Sequence, residues 1–181
     1  MSLVYQPAED SFLISSIISK YSKNKVVLDM CTGSGILAIE AMKYGASLVT
    51  AVDINKDAIK YLNLKFKKLK TIESNLFKKV KGKFDLILCN PPYLPKDKLE
   101  DKESNLATTG GRNGDEFILK FIKQSVKHLE KDGIILLLLS SLTPRERVNK
   151  LLIKLNLKYK SVVSKRIFFE NLEVLEIKYK S

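Results

Sequence analysis

Apolar positions along the chain switch repeatedly between a helical period and continuous runs of strand length. Ile14, Ile17, Ile18 and Tyr21 recur at helical spacing after a start near Pro7 or Ala8, and Val26 to Met30 then reads as a buried strand. Ile36, Leu37, Ile39 and Met42 mark a helix that opens at Gly35, and Leu48 to Asp53 is a second strand. Ile59, Leu62 and Phe66 place a helix from Asn55, followed by a short third strand over Leu69 to Glu73 and a fourth over Phe84 to Asn90. A loop from Pro91 to about Gly114 follows, long enough to suspect a functional role and unusual in its acidic Glu100, Asp101 and Glu103.

The helix from Asp115 carries Phe117, Ile118, Phe121, Ile122 and Leu129, and Asp132-Gly133 is predicted to turn the chain into a strand from Ile134 to Leu139. Thr143-Pro144-Arg145-Glu146 has the form of a capping box with proline at the first helical position, ahead of a helix burying Val148, Leu151, Leu152 and Leu155. Leu157 to Ser164 and Leu172 to Tyr179 read as an antiparallel pair at the end of the sheet. Alternating helix and strand with no linker or repeat predicts one α/β layered domain over residues 1–181.

Composition narrows the function. No run approaches the roughly 18 apolar residues of a membrane span, and the N-terminus lacks the basic-then-apolar pattern of a secretory leader. The expected setting is therefore cytoplasmic. Cys31, Cys89 and the single His128 cannot supply four zinc ligands, so no metal is expected. The cysteines read as small buried thiols at strand ends, unbridged in a reducing compartment. His128 reads as exposed or capping. The net charge of +12 suggests nucleic acid, but only four of the 32 basic residues are Arg and the lysines are scattered. Solvation accounts for the densest runs, Lys65 to Lys70 and Lys78 to Lys83, and nucleic-acid contact stays open as an alternative.

Two strand ends carry candidate chemistry. Asp29-Met30-Cys31-Thr32-Gly33-Ser34-Gly35 is a glycine-containing turn between strand and helix, where backbone can approach a ligand closely. It lacks the third glycine of the dinucleotide fingerprint and any phosphate-binding lysine. Asp29 would repel a pyrophosphate and attract an ammonium group, while Asp53, ending the second strand, can accept both hydroxyls of a ribose. The ligand implied carries a ribose and a cationic amino acid, which fits S-adenosylmethionine. Asn75, after the third strand, can accept from an adenine amino group, and Leu76 can pack on the ring.

The fourth strand ends in Asn90-Pro91-Pro92-Tyr93. An amide or aromatic amine nitrogen is a poor nucleophile because its lone pair is delocalised. Accepting both of its N–H bonds, with the Asn90 side-chain oxygen and the Pro91 carbonyl, turns that lone pair toward a methyl donor. The prolines fix the backbone, and the Tyr93 ring can stack on a planar group. This chemistry fits a protein amide and also the exocyclic amine of a flipped adenine in RNA or DNA. A non-catalytic cofactor-binding scaffold would have no need of Asn90.

Three motifs carry a resemblance that spans nearly the whole chain: Val4-Tyr5-Gln6-Pro7-Ala8-Glu9-Asp10-Ser11-Phe12-Leu13, Asn90-Pro91-Pro92-Tyr93, and Gly110-Gly111-Arg112-Asn113-Gly114-Asp115-Glu116. The chain resembles the short class I methyltransferases, relatives of HemK, that methylate the glutamine of the Gly-Gly-Gln motif in archaeal and eukaryotic translation release factors. The resemblance implies a Rossmann-like three-layer fold with a seven-stranded, mostly parallel sheet and one antiparallel strand near its end. By position it implies that Ser11, Asp29, the Cys31 backbone, Asp53, Asn75, Leu76 and Asn90 line the cofactor, and that Asn90, Pro91, Pro92 and Tyr93 hold the acceptor amide. It also implies a heterodimer with a small zinc-binding activator that covers an apolar surface near the third-strand edge. Bacterial relatives carry an N-terminal helical domain, whereas this chain reads as starting at the catalytic domain. Cys31 stands where the family usually has the first glycine of the turn, and Asn75 where an aspartate is common, which keeps the acceptor oxygen and loses the charge.

Overall fold

The computed structural model describes residues 7–95, 109–168 and 170–180. The helices are α1 (Glu9–Ser15), α2 (Ile36–Lys43), α3 (Lys56–Lys65), α4 (Glu116–Ser125) and α5 (Arg145–Lys154). The strands are β1 (Val26–Met30), β2 (Leu48–Asp53), β3 (Lys70–Glu73), β4 (Phe84–Cys89), β5 (Leu94–Pro95), β6 (Thr109–Gly111), β7 (Leu129–Ser140), β8 (Leu157–Ile167) and β9 (Glu170–Tyr179). Seven of them form one sheet in the order β3-β2-β1-β4-β7-β9-β8. Pairing from β3 to β7 is parallel, and β9 alone runs antiparallel to both of its neighbours. This is the expected class I methyltransferase architecture, with the last two strands paired as anticipated.

Alternation along each strand divides the core between two faces. Leu28, Met30, Ile87, Ile135 and Leu137 face α4 and α5, packing with Phe121, Ile122 and Leu152. Val27, Leu86, Leu88, Leu136 and Leu138 face α1, α2 and α3, packing with Ile14, Ala38 and Leu62. Covering both faces is what makes the central strands read as unbroken apolar runs. The strand order reverses between β1 and its flanking strands β2 and β4. The register Met30↔Val52 and Met30↔Cys89 brings the carboxyl ends of these three strands level, which is where an open α/β sheet binds ligands.

Three expectations need correction. β7 begins at Leu129 rather than Ile134: its register against β4 shifts from Phe84↔Leu129 to Leu86↔Ile134, so Asp132-Gly133 sits inside an irregular strand instead of forming a turn before it. The capping box does not form. Pro144 occupies the N-cap position of α5 without a side-chain cap bond, Thr143 Oγ1 is buried without a partner among the described residues, and Glu146 pairs with Lys150 at 2.6 Å. The segment after Pro92 is not wholly irregular, because Leu94 and Pro95 pair in parallel with Thr109 and Gly111. The acidic Glu100, Asp101 and Glu103, and the start of the N-terminal motif at Val4-Tyr5-Gln6, lie outside the described residues.

Both cysteines are free, and His128 is exposed, with Nδ1 2.9 Å from the Gly82 carbonyl oxygen and its ring stacked on Phe77. Among the described residues no helix is long and apolar enough to cross a membrane, and no cluster of three or more His, Cys, Asp or Glu side chains could hold a metal ion.

Candidate active site

A cleft of about 430 Å³ opens over the carboxyl ends of β1, β2 and β4. Of the residues expected to form a site, Ser11, Cys31, Gly33, Asp53, Asn75, Leu76, Asn90, Pro91, Pro92 and Tyr93 all line it. Segments from α1 to the end of β4 converge there because the parallel strands end level.

The donor side is built by the β1–α2 turn. Cys31 has φ +62°, Gly33 +51° and Gly35 +83°, so the chain winds through the left-handed region in three of five residues. A non-glycine residue at such a φ is strained, and Cys31 occupies the position that the family resemblance assigns to glycine. The turn is tied to β2 by Thr32 N–H donating to the Val52 carbonyl at 3.0 Å and by Gly33 N–H donating to Asp53 Oδ2 at 2.8 Å. The other Asp53 oxygen accepts from Asn55 N–H at 2.8 Å. Burial raises the Asp53 pKa against these hydrogen bonds.

Asp29 and Gly35 are not in the lining. Asp29 is fully buried, and Oδ2 accepts from Thr32 Oγ1 at 2.5 Å and Ala38 N–H at 3.1 Å. Burial raises its pKa to about 7. Asp29 thus lies beneath the turn rather than in the lining, and its other oxygen, Oδ1, is buried with no partner among the described residues. Asp29 is the register partner of Ala51 in β2, whereas Asp53 lies two residues further along the same face and projects past the end of β1. Gly35 serves packing: a Cβ there would lie 2.5 Å from Leu62 Cδ2.

The acceptor side is built by the end of β4. Pro91 and Pro92 are buried, and the Tyr93 ring packs against both cores. Burial, then the charges of Asp10 and Glu170, push the Tyr93 phenol well above its ordinary pKa, so it stays protonated. Asn90 Nδ2 donates to Ser11 Oγ at 3.2 Å, while Asn90 Oδ1 is buried with no partner among the described residues. The Gly110-Gly111 motif closes against this segment. A Cβ on Gly110 would meet the Pro92 carbonyl oxygen at 2.8 Å, so only glycine lets the two backbones touch. Beyond it, Asn113 N–H and Nδ2 donate to Glu116, and the fully buried Asp115 pairs with Arg147 at 2.7 Å, fixing the start of α4.

Asp10, Thr32, Phe117 and Lys120 also line the cleft and were not singled out individually by sequence reasoning. Asp10 was within reach, being adjacent to Ser11 in a quoted motif. Phe117 and Lys120 gave no such signal, since which side of α4 faces the cleft depends on how the helix docks.

A sequence profile described as methyltransferase small domain matches residues 9–170, and the chain belongs to that family. It uses S-adenosylmethionine, the methyl donor of the family chemistry. A Methanocaldococcus jannaschii protein named as a candidate protein N5-glutamine methyltransferase is 42% identical over 155 residues, covering 82% of this chain and 78% of that protein. Two bacterial relatives are named as glutamine methyltransferases, acting on a release factor in Borreliella burgdorferi and on ribosomal protein uL3 in Francisella tularensis. They are 36% and 34% identical, and the chain spans only 44% and 40% of their lengths. Among solved structures, the E. cuniculi Mtq2–Trm112 complex, responsible for methylation of the termination factor eRF1, superimposes with a TM-score of 0.79 at 20% identity, covering 97% of this chain and 98% of that one.

Proposed function

We propose that this member of the methyltransferase small domain family methylates the side-chain amide nitrogen of a glutamine, and that this glutamine belongs to the Gly-Gly-Gln motif of a translation release factor. The observation that carries the proposal is Asn90 Oδ1, a buried acceptor with no partner among the described residues, on a side chain lining the cleft beside Pro91, Pro92 and Tyr93. A buried carbonyl oxygen left unpaired is costly. A substrate amide that donates an N–H to it removes that cost and is held by it.

The residues fit the cofactor. Each Asp53 oxygen already accepts one backbone N–H and keeps a lone pair for a ribose hydroxyl. Asn75 and Leu76 stand where the adenine amino group and ring would be met. S-adenosylmethionine, when bound, supplies an electrophilic methyl group. Asn90 Oδ1 and the Pro91 carbonyl accept the two N–H bonds of the acceptor amide, which aims its lone pair away from both. The proline pair holds that carbonyl rigid, so little reorganisation accompanies the reaction. Tyr93, neutral at any physiological pH, stacks on the amide plane without adding charge. No general base is required, because the proton leaves after the methyl group has arrived, and positioning does most of the catalysis.

The names of the relatives support glutamine as acceptor and the translation apparatus as its source. The Mtq2–Trm112 complex supports a small partner chain, and we assign a zinc-binding activator to the β3 edge of the sheet, near which Leu48, Tyr61 and Leu64 are exposed. The setting proposed is cytoplasmic. The test is methyl transfer from labelled S-adenosylmethionine, with the activator present, to the cognate release factor, to the same factor with its Gly-Gly-Gln glutamine replaced, and to total RNA. Label on the unaltered factor alone supports the proposal. Label on RNA alone replaces it with a base methyltransferase, and label on neither, with cofactor bound, replaces it with a scaffold.

A further inference from the structure

Asn90 can grip an N–H bond only if its amide points the right way. The oxygen and nitrogen of a carboxamide are nearly equal in shape, and a half-turn of the group exchanges an acceptor for a donor. With nitrogen forward, Asn90 would meet the acceptor amide donor to donor.

Two side chains of α1, Asp10 and Ser11, bear on that choice, and Ser11 is 79 residues away in sequence. The buried Asp10 carboxylate accepts from Ser11 N–H at 2.6 Å and from Ser11 Oγ at 3.2 Å. A carboxylate can only accept, so the Ser11 hydroxyl proton is committed to Asp10. Ser11 Oγ then has only lone pairs for its other neighbour, and that neighbour is Asn90, 3.2 Å away. A hydroxyl whose proton is engaged must be met by a donor. Asn90 therefore turns Nδ2 toward Ser11 and Oδ1 away from it, and Oδ1 is the atom left buried and unpartnered.

We infer that Asp10 and Ser11 are positioning residues that lock the Asn90 amide with its oxygen toward the acceptor. The inference rests on the reading of Asn90 as the group that holds the acceptor N–H. No proton moves in this relay. Asp10 removes a choice from Ser11, and Ser11 removes a choice from Asn90. Without Asp10 the hydroxyl is free to donate to Asn90 Oδ1, and both amide orientations become accessible. Without the Ser11 hydroxyl the Asn90 nitrogen loses its acceptor, with the same result.

Because both changes release one lock, their effects should not multiply. The test compares D10L, S11A, the double variant and S11T with the wild-type chain in three measurements. The first is single-turnover methyl transfer from labelled S-adenosylmethionine to the release factor. The second is cofactor affinity by calorimetry. The third is the ¹⁵N–¹H signal pair of the Asn90 side-chain amide, identified by its loss in N90D. D10L and S11A should each slow transfer about 10- to 100-fold, the scale of a mispositioned catalytic group. At saturating cofactor, set for each variant from its measured affinity, the double variant should be no slower than the worse single by more than about twofold. S11T should restore the rate, and the Asn90 amide pair should shift in D10L and S11A alike. S11A, which removes one hydroxyl, decides the matter should D10L fail to fold. Losses that multiply in the double variant, a single variant at wild-type rate, or Asn90 signals unmoved by S11A would overturn the inference. The amide signals need no acceptor, so failure of the release factor to accept a methyl group leaves this part of the test standing.

Discussion

Where it lines the cleft, the donor half holds its carboxylate by backbone hydrogen bonds, whereas the acceptor half leaves an amide oxygen open. Both Asp53 oxygens accept from backbone N–H groups. Beneath the turn and outside the lining, Asp29 Oδ2 is held by Thr32 and Ala38, while Asp29 Oδ1 is buried with no partner among the described residues. Asn90 Oδ1 belongs to a side chain that does line the cleft, and it has no partner among the described residues. A self-satisfied site is shaped before its ligand arrives and tolerates the ligand's absence. A site with an unpaired buried oxygen is incomplete until a donor reaches it, and such exceptions to hydrogen-bond satisfaction gather where function requires them. The two halves should therefore fail differently when altered.

The sharpest way to break this contrast is Asn90→Ala. It removes the open acceptor and nothing that shapes the donor half. Methyl transfer should fall at least about 10²- to 10³-fold, the loss typical of one transition-state hydrogen-bonding group, while cofactor affinity measured by calorimetry stays within about threefold of wild type. A variant retaining full turnover would sink the proposed mechanism. On the other side, Asp53→Ala should weaken cofactor binding by about 10- to 100-fold through loss of charged hydrogen bonds worth roughly 1.5–3 kcal/mol. At saturating cofactor its rate of transfer should be affected far less, so binding isotherms and rates under saturation separate the two halves.

How far the sequence went in assigning these halves is seen in its two aspartates. Both stand at or next to the end of a buried strand, and both were expected to touch cofactor. Which one reaches the cleft depends on register: Asp29 pairs with Ala51 and is covered by the α2 start, and Asp53 overshoots it by two residues. Residue type and strand position were legible, but the stagger between neighbouring strands was not. The Asn-Pro-Pro-Tyr segment was easier, since a strand that ends in two prolines must leave the ladder there, at the carboxyl end of the sheet. The failed capping box at Thr143 shows the same limit from another side, because a local pattern cannot foresee that Pro144 takes the cap position and that Glu146 finds Lys150.

Asp29 also gives the donor half a pH signature that the acceptor half lacks. Its folded pKa is raised to about 7 by burial, while the unfolded chain keeps the ordinary carboxylate value. The folded state therefore binds the extra proton between these values. The stability Asp29 contributes is fully present below the unfolded value, near about pH 4, and is lost as pH rises through about 7. The slope is at most about 1.4 kcal/mol per pH unit. Asp29→Asn should flatten the wild-type decline in denaturation midpoint between those pH values. An unchanged slope in the variant would mean that Asp29 is not the group responsible.

The smallest expected effect concerns Cys31, where the donor half carries its own strain. Its φ of +62° is a conformation that glycine adopts freely and a cysteine only at some cost, of order 1–3 kcal/mol in comparable sites. Against that relief, glycine makes the unfolded chain more flexible, an effect of roughly 0.4–1 kcal/mol in the opposite direction. Cys31 also packs against the core and sits beside the buried Cys89, whose thiol pKa is pushed up by burial and then by Cys31 itself. These contributions oppose one another, so Cys31→Gly should leave the denaturation midpoint nearly where it was, within about 1 kcal/mol. Cofactor affinity should change by less than about threefold, because the turn is shaped by backbone bonds from Thr32, Gly33 and Asp53 rather than by the thiol. A large loss of affinity in Cys31→Gly would instead make the thiol a cofactor contact in its own right, and backbone bonds alone would no longer account for the donor half.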